Sequence, residues 1–83
     1  MKNNIDEVAQ TIAQTIEKFP ADTLADHGTL HHTLKMTKRE SEAWLMASWF
    51  LKNVEKMSLK NDKEVYNQYR KQLSEKAIEI TGK

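Results

Sequence analysis

Three histidines stand close together, His27, His31 and His32. With Asp26 they are the residues whose type and spacing could do metal chemistry. His27 and His31 are four apart, the separation that puts two zinc ligands on one helix face. Gly28 interrupts that turn, and the glutamate that would make an H-E-x-x-H site hydrolytic is missing. These side chains are therefore read as a polar surface loop, with no metal and no cofactor assigned. Nucleophilic chemistry has less to work with. The sequence has no cysteine, no serine in a G-x-S-x-G turn and no glycine-rich phosphate loop. Glu40 and Glu42 are two apart, which places them on different helix faces instead of pairing them as acid and base. No catalytic residue is assigned, and the chain is expected not to be an enzyme.

A second chemistry is phosphate binding. The net charge is only +1, but it is unevenly spread. Residues 1–30 carry −3, while residues 31–71 carry +4. Lys35, Lys38 and Arg39 precede the most apolar stretch, and Lys52, Lys56, Lys60 and Lys63 follow at helical steps. Such a stripe could track a nucleic-acid backbone. Glu40, Glu42, Glu55, Asp62 and Glu64 interleave with it, and lysines on the wet side of a helix are ordinarily just solvated. The segment MTKRESEAW resembles the opening of LuxR-type helix-turn-helix domains in its cap and charges. Apolar residues fill the next two turns, where that family has its turn and recognition helix, and the family is set aside.

The element that would position such groups runs from Thr37 to Met57, TKRESEAWLMASWFLKNVEKM. Thr37 and Glu40 have capping-box spacing, and no glycine or proline interrupts the run. At about 100° per residue, Ala43, Met46, Ala47, Phe50, Val54 and Met57 share one face. Trp44 and Leu51 widen that face on one side and Trp49 on the other, to roughly twice the stripe of a surface helix. A helix this apolar is expected to be covered on two sides, with Trp44, Trp49, Phe50 and Leu51 as a seam for a partner or a second copy.

Two narrower stripes flank it. Ile5, Val8, Ala9, Ile12, Ile16 and Phe19 recur at three- and four-residue steps, with Asn3 or Asn4 as cap and Pro20 as stop. Val65, Tyr66, Tyr69, Leu73, Ala77 and Ile80 form the last stripe, which Asn61 and Glu64 would open as a second capping box and Gly82 would end. Between them, residues 20–36 read as a short helix at 21–26 followed by loop. The alternative to a break after Met57 is one continuous helix from 38 to 81, because Ser58–Asp62 contains neither Gly nor Pro.

Eighty-three residues make one domain, 1–83, of all-α class: a small three- to four-helix bundle. Its helices are expected near 4–19, 21–26, 38–57 and 61–81, with the 38–57 helix central. A core this small is commonly supplemented by self-association. The start of the sequence lacks an apolar signal core, and no run reaches the ~20 residues of a bilayer span, so a cytoplasmic protein with no membrane association is expected. The function these features favour is a small, non-enzymatic helical protein–protein interaction module, a self-associating accessory or regulatory factor. A nucleic-acid-associated helical protein using the basic stripe of residues 35–71 is the alternative.

Overall fold

The computed structural model describes residues 3–23 and 37–82. It is an all-α bundle of three helices, α1 (Ile5–Ile16), α2 (Lys38–Asn53) and α3 (Lys63–Thr81). Among the described residues there is no strand, and no helix is long and apolar enough to cross a membrane.

Asn4 caps α1, its side-chain oxygen accepting from the backbone N–H groups of Asp6 and Glu7. α1 stops at Ile16, three residues short of the expected Phe19, where the Glu17 N–H still reaches the Ala13 carbonyl and the Phe19 N–H turns back to the Ile16 carbonyl. The α2 capping box forms as spaced in the sequence. The Glu40 N–H donates to the Thr37 hydroxyl at 3.1 Å, and the Thr37 N–H donates to the Glu40 carboxylate at 2.8 Å. α2 stops at Asn53, four residues short of the expected Met57. Val54 and Glu55 both donate their N–H to the Phe50 carbonyl, and Met57 closes back onto the Leu51 carbonyl. Lys56 between them has φ 58°, a left-handed conformation that ends helices and that glycine normally supplies. The chain between α2 and α3 is therefore a turn, and the continuous 38–81 helix does not form.

The expected Asn61–Glu64 box is also corrected. The residue before α3 is Asp62, whose side chain caps nothing in the helix. Its carboxylate instead accepts the Ser58 N–H at 3.0 Å, which fixes the connecting loop. Of the short helix expected at 21–26, the described part is a single turn in which the Thr23 N–H reaches the Pro20 carbonyl. Residues 24–36 lie outside the described residues.

The packing differs from the expected arrangement in which residues 38–57 are the middle. α3 lies extensively against both neighbours, whereas α1 and α2 meet over a smaller area. The buried residues explain this. α2 buries Ser41, Ala43, Ala47 and Leu51, α1 buries Ala9, Ile12, Ala13 and Ile16, and α3 buries Tyr66, Leu73, Ser74 and Ala77. Small side chains at these seams let backbones come close, and Tyr66, Leu73, Leu51, Ile12 and Ile16 fill what is left. The bulk of α2 is consequently displaced to its flanks and back. Leu45 is 45% exposed and Trp49 62% exposed.

Candidate interaction surface

The four residues expected to form one seam divide into three environments. Leu51 is fully buried and belongs to the core with Ala43 and Ala47. It has no surface to offer a partner, and its place in the seam is withdrawn. Trp44 and Trp49 are five residues apart, about 140° around the helix, so they leave α2 in different directions.

Trp44 is half-buried on the α3 side. The Arg70 guanidinium carbon lies 4.1 Å from the Trp44 ring centre and 5.1 Å from that of Tyr66. Arg70 also donates from Nη2 to the Asn67 side-chain oxygen at 2.8 Å. This cation lies over one ring from each helix and so bridges α2 and α3. Beyond it Trp44 and Ile78 line a groove of about 420 Å³ whose rim is charged by Glu40, Lys71 and Glu75.

Trp49 and Phe50 face the other way. With Val8, Thr11, Ile12 and Met46 they line an apolar groove of about 250 Å³ between α1 and α2, where those two helices pack least closely. The helices run in opposite directions along it. At one end Arg39 reaches past the α1 terminus, donating from Nε to the Phe19 carbonyl and from Nη2 to the Glu17 carbonyl at 3.0 Å. At the other end the Asn3 amide donates to Glu55 at 2.6 Å. α1 and α2 are thus tied at both ends and open in the middle. The outer wall of that opening is Trp49, and next to it on the same back face lies Leu45.

The expected basic stripe is distributed differently. Arg39 is committed to the carbonyls ending α1. The Lys38 ammonium sits 5.2 Å from the Phe19 ring centre, with Lys18 at 5.3 Å. Lys52 is exposed on α2, Lys56 and Lys60 are exposed in the turn after it, and Lys63 is the exposed first residue of α3. Because α2 ends at Asn53, these four do not follow one another along a single helix. Lys35, His27, His31 and His32 lie outside the described residues. Among those described, no group of three or more His, Cys, Asp or Glu is placed to hold a metal ion.

Sequence reasoning missed the contribution of α1 to this surface. Val8 packs partly against the core, as its place in the α1 stripe implies, and also forms a wall of the groove. The signal was present in the alanines. Ala9 and Ala13 mark the side of α1 that packs closely, which turns Val8 toward the opening. No family model, curated protein or solved structure matches this chain.

Proposed function

We propose that this protein is a non-enzymatic helical interaction module that docks protein on the back of α2 and the adjoining α1–α2 groove. The observation that carries this is the position of Trp49, 62% exposed beside Leu45 on a helix whose inward face is already filled. A tryptophan offers the largest apolar area of any side chain at low entropic cost, and such residues dominate protein contacts when a partner covers them. The groove beside it is lined almost wholly by apolar side chains, so an inserted aliphatic or aromatic side chain would exchange water for apolar walls on its inner sides. The basic residues support the nucleic-acid alternative less, since Arg39 and Lys38 are engaged at the end of α1.

The test compares the parent with Trp49→Ala, both checked for helix content by circular dichroism. Each is immobilised and exposed to extract of the native host and to untagged copies of the chain. The expected result is that whatever the parent retains is lost from Trp49→Ala. Identical retention by both chains would overturn the assignment of this face.

A further inference from the structure

The back of α2 carries a pattern that is its own complement. Glu42, Leu45, Trp49 and Lys52 are spaced by three, four and three residues, the alternation of a heptad seam. All four fall within about 80° of one another around the helix, on the side turned away from Ala43, Ala47 and Leu51. Leu45, Trp49 and Lys52 are exposed and Glu42 is half-buried. Read backwards the spacing is the same. A second α2 laid antiparallel, with a two-fold axis at the level of Ala47, brings Leu45 of each copy against Trp49 of the other. The same axis sets each Glu42 opposite the Lys52 of its partner.

We propose that the occupant of this face is a second copy of the chain, docked through α2 in this antiparallel, two-fold arrangement. The proposal rests on the reading of the α2 back as a docking surface, and names what covers it. Charge complementarity selects the occupant and its direction. A parallel pairing in register would put Glu42 on Glu42 and Lys52 on Lys52, whereas the antiparallel one makes two attractive pairs. A two-fold contact uses one patch twice, so self-complementarity within a single helix is what it needs. The early end of α2 fits as well. On a longer helix the next layer would place Lys38 opposite Lys56. The left-handed turn at Lys56 takes the chain off that line, and Lys38 is held over Phe19. On the groove side of the axis Met46 approaches its own counterpart, and the partner's Trp49 closes over the opening.

The test is a charge-swap series followed by sedimentation velocity between about 1 and 500 µM in low salt, a range suited to a contact of modest area. The parent is expected to pass from monomer to dimer. Glu42→Lys and Lys52→Glu each convert both pairs of the dimer to like charges and should each weaken it about tenfold or more. An equimolar mixture of the two variants restores opposite charges at both pairs and should recover the parent's dissociation constant to within about threefold. Lys52 lies wholly outside the core, so its variant reads the proposal even if Glu42→Lys lowers stability. A parent that stays monomeric, swaps without effect, or a mixture that fails to recover would each overturn the second-copy assignment. If another protein is still captured in a Trp49-dependent way, the docking surface stands and only its occupant is wrong. If Trp49→Ala changes neither, both fail together.

Discussion

At the scale of single residues, the most informative contrast is between Leu51 and Trp49, two large apolar side chains on one helix. Leu51 is enclosed by the core, so Leu51→Ala should cost about 2–4 kcal/mol in urea unfolding through lost burial and the cavity left behind. Trp49 keeps 62% of its surface exposed, and Trp49→Ala should cost less stability than Leu51→Ala, about 1–2 kcal/mol at most, while removing association. A second contrast concerns arginine. Arg39 satisfies two carbonyls that end α1, and Arg39→Ala should destabilise by about 1–3 kcal/mol, with Arg39→Lys recovering only part because an ammonium cannot reproduce the two-pronged geometry. Neither arginine role was legible in the sequence. Arg39 reads as part of the basic stripe and Arg70 carries no reading beyond its charge, because the Glu17 and Phe19 carbonyls and the Trp44 ring are distant along the chain. A formal charge is visible in a sequence, whereas the group that neutralises or stacks on it is a property of the fold.

At the scale of elements, local signals were reliable where they were self-contained. The Thr37–Glu40 box formed because both partners lie within one turn, and the Asn4 cap held for the same reason, whereas α1 ended at Ile16, before the Phe19 end that Pro20 was expected to set. Thr37→Ala should lower stability by about 1 kcal/mol in thermal or urea unfolding. The signal failed where termination used an atypical residue. Lys56 takes a left-handed conformation at a cost of roughly 1–2 kcal/mol, and nothing in its side chain announces it. Lys56→Gly should therefore stabilise the protein, by up to about 1 kcal/mol after the greater freedom of glycine in the unfolded chain is set against the relief. Asn61 and Glu64 misled in the opposite sense. Their spacing was correct, but the adjoining Asp62 had a better use for its carboxylate at Ser58, and the helix began without a side-chain cap. The width of the α2 apolar face was read properly and its meaning was not. Bulk was taken as the sign of burial, whereas close helix packing selected the alanines and left the tryptophans to the flanks.

At the scale of the whole molecule, three helices tied by a few polar contacts surround a core of small residues. One tie is ionic. Asp6 on α1 pairs with Lys76 on α3, and the hydrogen bond and charge of Asp6 raise the Lys76 pKa above its ordinary 10.5. A lysine whose folded pKa is raised adds stability that is fully present below its unfolded value and lost as pH climbs through the folded one. The stability difference between the parent and Lys76→Met should hence be constant from neutral pH to near 10.5 and shrink above it, as urea unfolding at stepped pH would record. The all-α class, the three main helices and the exclusion of Cys-based chemistry were all readable from periodicity and composition. The direction in which each tryptophan leaves α2 was not, because that depends on which neighbours approach, and the sequence of one helix does not contain them.

In the proposed dimer Trp49, left outside by the fold, is the side chain the second copy covers, while Trp44 is already settled against Arg70 of its own chain. Fluorine NMR of the 5-fluorotryptophan-labelled protein reports both rings separately in the intact chain. On concentrating from about 1 to 500 µM, a range set by the modest contact area, the Trp49 resonance should move and lose its sensitivity to solvent isotope while Trp44 stays fixed. A Trp49 resonance unchanged across that range, or a Trp44 resonance that moves in its place, would contradict it.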